Sequence, residues 1–284
     1  MRSPHASRSQ STFAKPSSGA IHIGILVINL DRSPERLASV SSQLANLALP
    51  WERIPAVDGS MFTLGALPEG YSPDLNRKHF YRPLSLGEIA CFLSHRLAWQ
   101  RISEKAWDAA LILEDDCLLS EKLPAALEWL SATPEYWEAV KLRSNKHRPL
   151  INPKSMAGME LGDFLKTPVE TVGYVLKAGA AQKLLKNTGQ FGSPVDVAMQ
   201  YHWRTGVWFS GLEPYTVSLH ASAATSDISR CGNKRNRKPF APLKRLRLQF
   251  AYNTKVYVSA FRRHGLLPVI RALTPSCLRR PSRK

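Results

Sequence analysis

The sequence predicts an α/β fold with a mostly parallel central sheet, and three observations carry that expectation. Short apolar runs alternate along the chain with segments of helical periodicity. The runs at 24–30 and 109–113 are apolar throughout rather than alternating, as strands buried on both faces are. Two of the helical segments open on start signals, Ser33-Pro34-Glu35 and the S-x-x-E box Ser85-Leu86-Gly87-Glu88. A hydrophobic fraction of 44% over 284 residues suffices for one large domain with extensions.

The elements follow in order. Gly24 to Leu30 reads as the first strand, and Asp31-Arg32 turn the chain. Pro34 begins a helix carrying Leu37, Val40, Leu44 and Leu47 at helical spacing. Trp51 to Val57 reads as a second strand ended by the turn Asp58-Gly59. Residues 60–83 lack periodicity and read as a long surface loop, a class often functional. The helix after Ser85 presents Ile89, Phe92, Leu93, Leu97, Trp99 and Ile102, and the 109–113 strand follows it. Leu118–Leu130 reads as helix, Ala139–Leu142 as strand, 143–168 as irregular, Thr171–Leu176 as strand and Ala178–Lys186 as helix. Ser193-Pro194-Val195-Asp196 starts another helix, and Val207–Phe209 and Tyr215–Leu219 are late strands.

The domain expectation is a disordered lead-in over 1–20, a folded α/β body over 21–229 and a basic amphipathic extension over 230–284. The Ser-rich start has no apolar stretch before a cleavage site, so no secretory signal is expected. Cys91, Cys117, Cys231 and Cys277 have neither metal-finger nor disulfide-framework spacing, which suits reduced thiols in a cytoplasm. The net charge of +17 is lopsided: sixteen Lys and Arg follow the last acid, Asp227, so the body is nearly neutral.

The 109–113 strand runs directly into Glu114-Asp115-Asp116. Carboxylates this close raise one another's pKa unless a cation neutralises them. Hard divalent ions such as Mn²⁺ or Mg²⁺ take such oxygen ligands, and open α/β sheets place ligands beyond the carboxyl ends of their strands. Glu114 and Asp116, two apart, share a face of an extended strand. No glycine-rich phosphate loop and no nucleophile elbow is present, so a bound nucleotide would depend on a metal for its phosphates.

Several blocks together resemble glycosyltransferase family 25, the lipooligosaccharide galactosyltransferase family. They are Val27-Ile28-Asn29-Leu30 with Arg32 and Glu35-Arg36, Ala56-Val57-Asp58-Gly59, the stretch Leu84 to His95, and Ile112 to Asp116. Weaker echoes follow at Thr171–Tyr174, Gly179-Ala180, Pro194–Asp196 and Ser226–Ile228, so the resemblance spans roughly 22–228. It implies a GT-A-like nucleotide-sugar fold, a UDP-sugar donor, a divalent metal, inversion at the anomeric carbon and a glycan acceptor on a bacterial surface glycolipid.

The expected site is built on these residues. Glu114 and Asp116 hold the metal, with His220 as a further ligand from the C-terminal part of the domain. Asn29, Leu30, Arg32, Arg36, Asp58 and Ser94 face the donor; arginine is suited to bidentate phosphate contacts. Asp196 leads as general base because an inverting transfer needs a carboxylate opposite the departing diphosphate, with Asp115 and Asp227 as rivals. Glu88 and His95 complete the catalytic set, although Glu88 also fits as the capping partner of Ser85.

In the tail, apolar and aromatic residues interleave with the cations, as in segments that lie on anionic lipid. The expected location is therefore cytoplasmic, peripheral on the inner face of the inner membrane. Two rivals stand beside the enzyme: a non-catalytic saccharide-binding homologue, and a basic nucleic-acid-binding protein. The tail has no recognisable nucleic-acid module, so nucleic acid is not the expected partner.

Overall fold

A computed structural model describes residues 19–63, 65–220 and 242–273. The lead-in through residue 18, Asp227 with its Ser226–Ile228 block, the basic stretch 230–241 and the last residues 274–284 lie outside the described residues. In chain order the elements are β1 (Ile23–Asn29), α1 (Pro34–Asn46), β2 (Glu52–Pro55), α2 (Pro73–His79), α3 (Leu86–Glu104), β3 (Ala109–Glu114), β4 (Cys117–Leu119) and α4 (Leu123–Ala132). They continue with β5 (Ala139–Lys141), β6 (Leu150–Met156), β7 (Met159–Phe164), β8 (Gly173–Lys177), α5 (Ala178–Asn187), α6 (Val195–Gln200), α7 (His202–Thr205), β9 (Phe209–Glu213) and β10 (Val217–Leu219). Two helices close the described chain, α8 (Pro242–His264) and α9 (Leu266–Leu273).

Eight strands form one sheet in the order β2-β1-β3-β8-β5-β9-β7-β6. Six share a direction, and β8 and β7 are reversed. The α/β class and the dominant direction agree with the sequence expectation. The apolar runs explain the layering. Along β1, Leu26 and Ile28 face a core made with α3, α5 and α6, while Ile25 and Val27 face one made with α1 and α4. Both faces are covered, so strands this apolar need no polar alternation.

Register places the site. Ile28 pairs with Glu114 and Asn29 with Pro55, so the carboxyl ends of β1, β2 and β3 finish level. Reversed β8 pairs Gly173 with Leu113 and Tyr174 with Lys141, which brings its amino end and the carboxyl end of β5 to the same edge. The small β4–β10 ladder pairs Cys117 with Leu219, and the His220 N–H donates to the Asp116 carbonyl at 2.8 Å. At Gly173 an added Cβ would lie 2.9 Å from both γ-carbons of Val217, so glycine lets β10 pass over β8.

Three local expectations differ from the structure. The 60–83 stretch contains α2, capped by Ser72, and the Asn76 amide ties it to the Arg82 and Gly192 carbonyls. The predicted 118–130 helix begins as strand β4 and turns helical only at Leu123. The irregular 143–168 segment holds the β6–β7 hairpin, whose outer strand is exposed over Asn152–Met156 and so carries no apolar alternation to read.

The described part of the predicted extension is helical and docked by one face. Val269, Ala260 and Ala272 pack with Ile151, Leu165 and Trp208, and Arg263 and His264 meet Asp163 at 3.0 and 3.2 Å. On the outer side Leu246 is 68% and Phe250 75% exposed. No helix of the described residues is long and apolar enough to cross a membrane.

Candidate active site

At the carboxyl edge of β1, β2 and β3 lies a cleft with about 670 Å³ of empty space, part of it open to solvent. Leu30, Arg32, Arg36, Ser94, His95 and all three acids of the 114–116 triplet line it. β3 ends at Glu114, and Asp115 and Asp116 form the turn into β4, so the chain bends where an extended strand would have sent Asp115 away. Asn29 lies beneath: its amide donates to Asp115 at 2.7 Å and to the Ser33 carbonyl at 2.9 Å. Arg53 holds Asn29 in turn, donating to its side-chain and main-chain oxygens at 3.0 and 3.1 Å. Arg36 stands 3.5 Å from Asp115.

The three carboxylates differ in environment. Burial works to raise the Glu114 pKa, but hydrogen bonds from His95 and Thr171 and the charge of Lys141 hold it below its ordinary value. Asp116 is pushed up to about 7, first by burial and then by Glu114 and Asp115, and its Oδ1 is buried with no hydrogen-bond partner among the described residues. A buried, unpartnered carboxylate oxygen beside two like charges fits a hard divalent cation. Cys91, His95 and Glu114 also offer ligand atoms within 4.8 Å of one another. Burial holds the Cys91 thiol well above its usual pKa, however, so that trio presents a thiol rather than a thiolate.

His95 is 1% exposed and belongs to a buried relay. Its Nε2 lies 3.2 Å from Glu114, and its Nδ1 is 2.9 Å from the Tyr174 hydroxyl, which accepts from the Trp99 indole at 2.9 Å. An indole can only donate and a carboxylate only accept. The neutral arrangement that uses every polar hydrogen runs from Trp99 to the Tyr174 oxygen, from the Tyr174 hydroxyl to Nδ1, and from Nε2–H to Glu114. In that arrangement His95 orients Glu114.

A second cleft opens on the other side of the triplet. It shares Cys91, Glu114 and Asp116 with the first and adds Glu170, Thr171 and Asp196. Asp196 sits in the first turn of α6, accepting from the Val197 N–H at 2.7 Å and the Glu170 N–H at 3.2 Å. Glu170 has φ +81°, a left-handed backbone conformation that is costly for a residue with a side chain. It is held from two sides: the Arg143 Nε lies 3.0 Å from its carboxylate, and Lys141 donates to its carbonyl. Lys141 is 1% exposed, with Nζ 5.4 Å from the ring centroids of both Tyr174 and Phe209. Burial lowers its pKa to about 8 against the pull of Asp196, Glu114 and Glu170. Sequence reasoning missed Lys141, Glu170, Thr171 and Tyr174 as parts of the site. A lysine inside the apolar run of a short strand was the one signal available for Lys141.

Other expected site residues are here but committed to neighbours. Both oxygens of Glu88 are engaged by Arg82, at 2.6 and 2.9 Å, and it closes the capping box with Ser85. Ser94 accepts from the Val57 N–H at 2.9 Å and donates to the Ala90 carbonyl at 2.8 Å, which pins the end of the β2 segment to α3. Asp58 pairs with Arg32 and caps the turn at Ser60; burial opposes ionisation, but these partners bring its pKa down to about 2. His220 is exposed at the end of β10, beside Asp116.

Comparison with known proteins adds lineage to this geometry. Residues 22–199 match the model of glycosyltransferase family 25, described as an LPS biosynthesis protein. Over 183 residues the chain is 27% identical to procollagen galactosyltransferase 2 of Homo sapiens, covering 61% of this chain and 29% of that protein. It is 36% identical over 95 residues to a glycosyltransferase 25 family member of Drosophila pseudoobscura pseudoobscura, covering 32% and 15%. It is 27% identical over 184 residues to the inactive glycosyltransferase 25 family member 3 of Homo sapiens, covering 60% and 30%. The chain therefore matches less than a third of the length of each of these relatives. With the family's model running through the sheet edge, both clefts and Asp196, the chain belongs to glycosyltransferase family 25.

Proposed function

We propose that this chain is a metal-dependent, inverting hexosyltransferase that moves galactose from UDP-galactose to a glycan acceptor of lipooligosaccharide or lipopolysaccharide type. The observation that carries the reading is the meeting of two clefts at one carboxylate edge, one lined by Arg32 and Arg36 and the other by Asp196. Galactose is supported by the relatives named as galactosyltransferases, and the acceptor class by the family's description. Glu114, Asp116 and His220 would hold Mn²⁺ or Mg²⁺, which when bound supplies Lewis-acid neutralisation of the diphosphate.

The chain's own residues divide the remaining work. Arg32 and Arg36 meet phosphate, while Asn29, Leu30 and Asp58 border the nucleoside. Asp196 takes the proton of the acceptor hydroxyl as its oxygen bonds to the anomeric carbon and the bond to the UDP oxygen breaks. His95 orients Glu114, Asp115 steadies Arg36, and Glu88 and Ser94 buttress the cleft through α3. UDP release from UDP-galactose that needs Mn²⁺ and stops with EDTA is the expected result. Asp196→Asn should abolish transfer and leave UDP binding unchanged; normal turnover in that variant removes Asp196 as the base. The non-catalytic reading has one support, the relative named inactive. UDP binding without UDP release under any donor would favour it.

The same reading places the enzyme peripherally on an anionic membrane, on the cytoplasmic face. Leu243, Leu246 and Phe250 of α8 and Leu266, Leu267 and Ile270 of α9 are exposed among Lys and Arg side chains, a combination suited to anionic lipid. Co-sedimentation with anionic but not zwitterionic liposomes is expected, and it should be lost in Leu246→Glu/Phe250→Glu. Binding unchanged in that variant would refute the assignment.

A further inference from the structure

A third cleft, with about 980 Å³ of empty space, part of it open to solvent, lies between the body and α8. Arg148, Lys166 and Arg245 line it with Tyr81, Tyr201 and Tyr252, and no Asp or Glu is among its lining residues. None of the three cations pairs with a carboxylate among the described residues. Lys166 lies over the Tyr257 ring at 5.0 Å and Arg245 over the Tyr81 ring at 5.1 Å. Arg148 Nε and the Tyr252 hydroxyl are buried with no hydrogen-bond partner there. Buried polar groups are normally paired, so these two leave unused donors in a cation-lined cleft, suited to a ligand that accepts hydrogen bonds. The field is positive: burial, then Arg204, Lys78, Lys255 and Lys244, bring the pKa of neighbouring His79 down to about 4.

We propose that this cleft is an anion subsite that seats a phosphate or carboxylate substituent of the acceptor glycan, an assignment that rests on the transferase reading above. The position supports an acceptor rather than a donor. Val169 and Val197 line this cleft, and their chain neighbours Glu170 and Asp196 line the carboxylate cleft. Adjacent Cα atoms are about 3.8 Å apart, so the two clefts share a wall only residues thick. One saccharide can present a hydroxyl at Asp196 and its charged substituent at Arg148. Guanidinium groups match phosphate and carboxylate oxygens bidentately, and the tyrosines offer flat apolar faces with polar rims to the sugar ring. The donor arginines, Arg32 and Arg36, lie in the other cleft. α8 also separates this subsite from lipid: Arg245 and Tyr252 face the cleft, while Leu246 and Phe250 are exposed.

The test is calorimetric titration of the full chain with glucose 6-phosphate and with glucose at constant ionic strength. Glucose 6-phosphate should bind about tenfold or more tighter than glucose, the scale of hydrogen bonds to charged groups. Arg148→Gln/Arg245→Gln should erase that preference and leave UDP affinity within about twofold, and Arg148→Lys/Arg245→Lys should retain part of it. Equal affinity for the two sugars, or an undiminished preference in the Gln variant, overturns the proposal. Displacement of glucose 6-phosphate by phosphatidylglycerol vesicles, persisting in Leu246→Glu/Phe250→Glu, would assign the cleft to a lipid headgroup and overturn the glycan assignment. Selective glucose 6-phosphate binding in a protein that never turns over UDP-galactose supports the subsite and counts against the transferase reading alone.

Discussion

Replacing Lys141 with methionine isolates the electrostatics beneath the site. Lys141 is 1% exposed, donates to the Glu170 carbonyl and lies between two aromatic rings. Its pKa falls from the ordinary 10.5 to about 8 because burial outweighs the attraction of Asp196, Glu114 and Glu170. At about 1.4 kcal/mol per pH unit, that difference corresponds to roughly 3 kcal/mol of folding free energy. In the unfolded chain the ammonium keeps its proton up to about 10.5; in the folded chain it sheds it near 8. Between those values the unfolded state binds more protons, so stability rises with pH across the window. Below about 8 the full cost of burying the charge is present. Methionine is similar in length and removes both cost and slope, but it leaves the Glu170 carbonyl unpartnered at about 1–3 kcal/mol. The two effects nearly offset at pH 7, where Lys141→Met should lie within about 2 kcal/mol of the wild type. Urea unfolding of both proteins at pH 7, 8, 9 and 10 is the assay, because groups common to both cancel in the difference. The wild type should gain roughly 2 kcal/mol on the variant between pH 8 and 10. A difference that stays flat over that range refutes a buried, charged Lys141.

Three further outcomes are expected. Tyr174→Phe strands Trp99 Nε1 and His95 Nδ1 together, so it should cost about 2–4 kcal/mol in thermal or urea unfolding and lower kcat while UDP affinity holds; wild-type stability would break the relay. Arg82→Gln leaves the buried Glu88 carboxylate without its cation and should destabilise by about 3 kcal/mol, partly recovered by adding Glu88→Gln, as a double-mutant cycle would show. His220→Ala should weaken Mn²⁺ binding about tenfold by titration, and unchanged affinity would remove His220 from the ligand set.

Much of the site was legible because its parts are local. Ser85 and Glu88 form the capping box that their spacing predicts, and Asp58 caps the turn that Asp-Gly predicts. The apolar runs are buried strands, and the acid triplet lies at the end of one, on the edge that carries the first cleft. The β6–β7 hairpin was illegible because an exposed edge strand needs no apolar alternation, and α2 because its stability comes from Asn76 bonding to Gly192, far along the chain. Glu88 was legible as the capping partner of Ser85; its engagement by Arg82 through both oxygens was not.

The sequence by itself determined the α/β class, the acidic edge, the family resemblance and the division between a near-neutral body and a cationic tail. Each of these depends on composition or on residues within a few positions of one another. Only the tertiary structure decided that β8 runs backwards beside β3, and that choice sets Thr171 and Tyr174 against Glu114 and His95 and brings Lys141 beneath them. It also decided that the described helices of the tail, α8 and α9, dock by one face and that Arg148, Lys166 and Arg245 converge on one cleft. Those juxtapositions join residues tens of positions apart. They follow from strand order and packing, which the burial of both sheet faces selects and no local pattern records.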